Sequence, residues 1–198
     1  MTKDKPDFFK PTRFRYRRRQ PPELSATAHH EAGHAFADWL LHFPIEQVTI
    51  VPSDEAMGNA TSKGRRVLRL LRRLEVDRPI TGKQIGYCHA LVVTLLAGEE
   101  AQRRFDPKSI RKHHAAGDHD SVIEVLMRLH PDAEECRCAF RYLLARTRNL
   151  ISNPWYWRRI EDLAKALIKR RTLTGEEVDA VIRASDNTQL EERNARKK

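Results

Sequence analysis

Two histidines four residues apart flank a glutamate in the run His30-Glu31-Ala32-Gly33-His34. On a helix, positions four apart share a face, so both imidazoles can reach one ion. Glu31 then lies about 100° round from His30 and about 60° short of His34, placed to face a metal-activated water rather than the metal. Zinc suits such a set, because it makes a water acidic enough to attack a carbonyl. The neighbouring carboxylate can take the proton and later return it to a leaving amine. Gly33 points the same way: glycine inside a helix costs about 1 kcal/mol relative to alanine, which close packing beside a site would explain. His29 directs its ring elsewhere on the helix, which predicts a surface or supporting residue rather than a ligand. The plainer alternative is an amphipathic helix whose histidines are merely half-buried.

A catalytic zinc ordinarily takes three protein ligands and leaves one position open. Local spacing supplies two. His42, His89, His113, His114, His119, His130 and many carboxylates are available for the third place, and composition does not choose among them.

The elements that must position these groups can be read from caps and periodicity. Ser25 or Thr27 can start a helix that carries the histidines to about Leu41, with Pro44 preventing its continuation. The β-branched run Ile45–Val51, ending at Pro52, predicts a short strand. Residues 53–64 are turn-rich, and Val67–Val76 predicts a short helix. A long helix follows to Phe105, with Thr81 near its start. After a polar connection over 106–117, Asp118–His130 predicts a helix with Val122, Val125, Leu126 and Leu129 inward and Asp118 as its N-cap. Asp132 caps a further helix to about Leu150, and Trp155–Arg171 forms another. The last begins at Thr174, where Glu177 at N3 completes a capping box. Residues 185–198 are predicted to be a polar, fraying tail. The expected class is mostly α-helical (α+β): a histidine-bearing helix beside a small β-sheet, followed by a C-terminal helical bundle.

The net charge of the 198 residues is +10, and residues 1–20 hold eight Lys/Arg against two acids. Four prolines keep the basic segment 1–22 out of regular structure, leaving one folded domain over 23–184. The segment could meet an anionic partner such as nucleic acid or a membrane surface, although no zinc-finger, KH or RRM signature accompanies it. No apolar run is long enough to span a bilayer, and the N-terminus lacks a secretory pattern. Three cysteines without a disulfide framework fit a reducing, cytoplasmic setting.

Several segments, in order, resemble the peptidase domain of the FtsH family. Ala28–Trp39 is similar to that family's zinc helix, and Val48–Ala60 to its strand and following loop. Leu91–Phe105 resembles its L-x-G-R-A-A-E-E helix, Ala116–Leu129 its G-A-x-N-D segment, and Leu163–Ile182 its terminal helices. The resemblance implies a zinc metalloendopeptidase with His30, His34 and Asp120 as metal ligands and Glu31 as general base. It also implies that Val48, Thr49, Ile50 and Val51 form the edge on which an extended peptide is laid. Gln102 stands where the family has a glutamate. No G-x-x-x-x-G-K-[ST] occurs in these residues. The expectation is therefore ATP-independent cleavage of unfolded or flexible polypeptides, unless a separate ATPase partner supplies them. The family's hexameric rings allow a homo-oligomer, and a monomer or dimer fits at least as well without the ATPase module. A catalytically weak or inactive domain of this kind that docks to a partner protein, nucleic acid or an anionic membrane surface is the alternative reading.

Overall fold

The computed structural model describes residues 24–51, Leu70, 79–110 and 116–196. The basic segment 1–22, the turn-rich run 53–64, most of Val67–Val76 and His113–His114 lie outside the described residues. Helix α1 spans Leu24–Leu40, and β1 follows at Gln47–Thr49. Helix α2, Gly82–Phe105, is followed by a 3-10 turn at Pro107–Ser109. Helices α3 (Ala116–Leu129), α4 (Ala133–Ser152) and α5 (Pro154–Arg170) lead to β2 (Thr172–Thr174) and α6 (Gly175–Ala195).

The caps explain most of these boundaries. Thr81 and Gln84 form a capping box on α2, and Thr174 with Glu177 forms one on α6. The Asp132 and Asn153 side chains accept from the first backbone amides of α4 and α5. At the end of α1, the Phe43 amide donates to the Asp38 carbonyl at 2.8 Å and the His42 amide to that of Trp39 at 3.3 Å. This is a Schellman closure, with His42 in the left-handed position at φ 59°.

Two apolar clusters meet along α1 and α2. One joins α1 to α5, α6 and β2 through Phe36, Ile160, Leu163, Leu167, Leu173 and Ile182. The other joins α2, α3 and α4 through Leu91, Leu95, Leu96, Val122, Leu126 and Leu143. Between them α1 lies directly on α2. An added Cβ at Gly33 would overlap the Ala97 carbonyl and the Ala101 methyl. That close approach is the packing reason expected for a mid-helix glycine.

Several element boundaries differ from expectation, beginning with α1, which starts at Leu24, so that Ser25 and Thr27 lie inside its first turn rather than capping it. The strand is shorter than Ile45–Val51, because Ile50 turns into the core, 5% exposed, and the chain bends at Val51. Its partner is β2, antiparallel, in the register Gln47–Thr174, Val48–Leu173 and Thr49–Thr172. The chain from Ser185 does not fray at once: α6 continues to Ala195, with Ser185 and Gln189 buried against the preceding helix. Finally, α3 begins at Ala116, so Asp118 is inside its first turn rather than capping it. None of the helices among the described residues is long and apolar enough to cross a membrane.

Candidate metal centre

Helix α1 carries His30 and His34 into the seam against α2, where His34 is 1% exposed and His30 9%. Gly98 of α2 makes the room, since a Cβ there would overlap the His34 ring. The two rings meet edge-on, with centroids 4.7 Å apart. Their Nε2 atoms are 3.0 Å from each other. One oxygen of Asp118, on the first turn of α3, lies 3.1 Å from His34 Nε2 and 3.4 Å from His30 Nε2.

The tautomers follow from the partners on the far sides of the rings. His34 Nδ1 is 2.8 Å from the Thr94 carbonyl, which can only accept, so this nitrogen carries the hydrogen. His30 Nδ1 is 3.1 Å from Gln102 Oε1. The other end of that amide, Nε2, donates to the Ser109 carbonyl at 3.2 Å and to its hydroxyl at 3.0 Å. A carbonyl fixes the amide nitrogen at that end, so Oε1 faces His30 and accepts from Nδ1–H. With Nδ1–H of each ring engaged on its far side, the two Nε2 atoms face each other with a carboxylate oxygen alongside. Two imidazole nitrogens and a carboxylate oxygen converging at such distances form the kind of donor set that a metal ion joins.

The spacing matches a metal. Tetrahedral coordination at about 2.0–2.1 Å puts ligand atoms about 3.3 Å apart. The three separations here run from 3.0 to 3.4 Å. Two imidazoles and a carboxylate form a three-ligand set that zinc accepts with a position left for water. Among the described residues, His30, His34 and Asp118 are the group whose donor atoms converge in this way.

Asp120, expected as the third ligand, is exposed. Residues two apart on a helix point about 200° away from one another, so with Asp118 turned toward α1 its neighbour faces out. Glu31 is half-buried on α1, one residue past His30. His29 is buried rather than at the surface: it donates from Nδ1 to the Ser25 carbonyl at 2.7 Å and stacks on Phe105, centroids 3.8 Å apart. Burial pushes its pKa below the ordinary histidine value.

Two acids of α2 brace the helices that frame the centre. Glu99 accepts from His119 of α3 at 2.8 Å and also pairs with Arg103. The hydrogen bond with His119 holds this carboxyl below its usual range, and the same contact raises the imidazole. Glu100 makes a forked pair with Arg148 of α4, at 3.2 and 3.3 Å. Of the strand residues Val48, Thr49, Ile50 and Val51, Ile50 is buried and Val51 exposed. Ile50 N–H donates to Arg171 O and Gly175 N–H to Glu46 O. By the alternation of an antiparallel ladder, the backbone groups of Glu46, Val48 and Ile50 face β2, while those of Gln47 and Thr49 face the other edge. No other described strand pairs with that edge.

No family model matches the chain. A stretch of 43 residues is 44% identical to the mitochondrial inner membrane m-AAA protease component yta12 of Schizosaccharomyces pombe. It covers 21% of this chain and 6% of that protein. The kinship to an AAA-protease component is distant and partial. Together with the convergent histidines and aspartate it supports a metallopeptidase-like helical fold, at the level of a remote link to the FtsH-type proteases.

Proposed function

We propose that this chain is a zinc metalloendopeptidase of FtsH type, in which His30, His34 and Asp118 hold the metal and Glu31 is the general base. One observation carries the reading: two imidazoles whose Nδ1–H groups are engaged elsewhere bring their Nε2 atoms to 3.0 Å from each other beside a carboxylate. A cation at the meeting point of these three donor atoms would join them, and the 3.0–3.4 Å separations suit one. Asp118 takes the place the resemblance assigned to Asp120; the chemistry of the ligand is the same and only its position on α3 differs.

When bound, zinc acts as a Lewis acid that activates water and polarises a peptide carbonyl. Glu31, beside His30 on the same helix, accepts a proton from the attacking water on its carboxylate and returns it to the departing amine nitrogen. Gln102 and the Thr94 carbonyl keep the imidazoles oriented. The open edge of β1, through Gln47 and Thr49, offers backbone donors and acceptors to an extended peptide, which suits broad side-chain tolerance. These residues contain no phosphate-binding loop. The substrate class that suits such an edge is unfolded or flexible polypeptide, which can lie along it in extended form.

The test compares the wild type with Glu31→Gln on unfolded casein, with zinc supplied. The expected result is cleavage by the wild type, a loss of at least about 100-fold in the variant, and equal zinc content in both. Equal, negligible cleavage by the two proteins would sink the peptidase reading.

A further inference from the structure

Gln102 makes a bridge that only an amide can make. Its Oε1 accepts from His30 Nδ1–H at 3.1 Å, and its Nε2 donates to the Ser109 carbonyl at 3.2 Å and the Ser109 hydroxyl at 3.0 Å. Gln102 is 3% exposed, so water does not compete for either end. A glutamate could accept from His30, but its second oxygen would face the lone pairs of the Ser109 carbonyl. Leucine could do neither. The other end of the bridge is the 3-10 turn Pro107–Ser109, pinned by Asp106, whose side chain accepts from the Lys108 amide at 2.9 Å. This turn starts the connection from α2 to α3, and Asp118 stands at the beginning of α3. One histidine of the cluster is thus tied, through a single buried amide, to the turn that follows α2.

We infer that Gln102 is a positioning residue that couples metal binding at His30 to the order of the Pro107–Ser109 turn. The inference rests on the metal-centre reading above. With the amide in place, His30 is held as the Nδ1–H tautomer with Nε2 ready for the ion. Because coupling is reciprocal, an ion on His30 strengthens the same chain of hydrogen bonds and steadies the turn. The amide at this position is then a requirement of a bridge between a donor and a carbonyl, rather than a weakened version of a carboxylate.

The experiment measures zinc affinity by chelator competition, and amide hydrogen exchange over residues 107–110 with and without zinc, in the full chain. In the wild type, zinc slows exchange across the turn. Gln102→Leu is expected to bind zinc about 10–100-fold more weakly and to lose the zinc-dependent protection. Gln102→Glu is expected to hold its zinc affinity to within about tenfold, since a carboxylate still accepts from His30, yet to lose the protection of the turn. Zinc affinity in Gln102→Leu within about twofold of the wild type, with the turn protected as before, would overturn the inference. If the leucine variant does not fold, the glutamate variant decides: retained protection counts against the bridge, lost protection for it. Should the wild type bind no zinc, the metal reading fails instead. The bridge is then judged by ¹⁵N NMR of His30, which should show an Nδ1–H tautomer in the wild type and a mixture in Gln102→Glu or Gln102→Leu. An unchanged tautomer in the folded variant would remove it.

Discussion

Helix α1 is buried on two sides, for different reasons. Toward α5 it presents Ala28, Ala32, Phe36 and Trp39 to Tyr156, Ile160 and Leu163, an apolar contact that gains from excluding water and from dispersion. Toward α2 it presents His30, Gly33 and His34, and there buried polar groups sit among small residues, with glycines on both helices setting the close approach. The first side stabilises the helix; the second buries imidazoles at a cost that directed hydrogen bonds offset. Stability and chemistry are thus divided between opposite faces of one helix.

The largest effect that would test this division comes from Leu163→Ala, a fully buried residue on the apolar side. Truncation there should cost about 2–5 kcal/mol by denaturant unfolding while leaving zinc affinity within about twofold in the folded protein. A parallel drop in affinity would mean the two faces are not separate. Gly33→Ala probes the polar side. The added methyl meets the Ala97 carbonyl and Ala101, so α1 must move off α2. The expected cost is about 1–3 kcal/mol, this time accompanied by weaker zinc binding. A variant as stable as the wild type would show that the close approach is not needed. The smallest change is expected at the helix end, which belongs to neither face. His42 occupies a left-handed position at φ 59°, which glycine adopts without steric cost. His42→Gly should raise stability by up to about 1 kcal/mol and leave zinc affinity alone. Destabilisation would indicate that the imidazole contributes packing that outweighs the backbone relief.

What could be read from the residues follows the same division. Helix identity was legible wherever caps were strong, as at Thr81, Asp132 and the Thr174–Glu177 box, and wherever apolar spacing was regular, as at Val122, Val125, Leu126 and Leu129. The histidine pair was legible because four-residue spacing has a direct geometric meaning. Asp118 was not. It and Asp120 offer the same carboxylate two residues apart, and which one faces α1 depends on the phase of α3. That phase is set by where the helix sits on α2, and the start at Ala116 carries no cap signal, whereas Asp118 itself looks like a good N-cap. Gln102 stood out only as a departure from a resembling family; its role needed Ser109, seven residues on, at the other end of the amide. Strand β2 is three residues long and sits between two helices, too short for alternation to show. The run beyond Ser185 is polar in composition, yet Ser185 and Gln189 bury their side chains against α5, where the Gln189 amide reaches the Trp155 carbonyl and Ser185. Polarity alone does not separate a solvated tail from a hydrogen-bonded interface.

The central claim is that the ion is held by His30, His34 and Asp118. Its most direct test is the zinc affinity of Asp118→Asn and Asp120→Asn measured side by side with the wild type. The account predicts a loss of at least about 100-fold in Asp118→Asn and a value within about twofold of the wild type in Asp120→Asn. The reverse pattern, with Asp120→Asn losing the metal and Asp118→Asn keeping it, would contradict the centre described here.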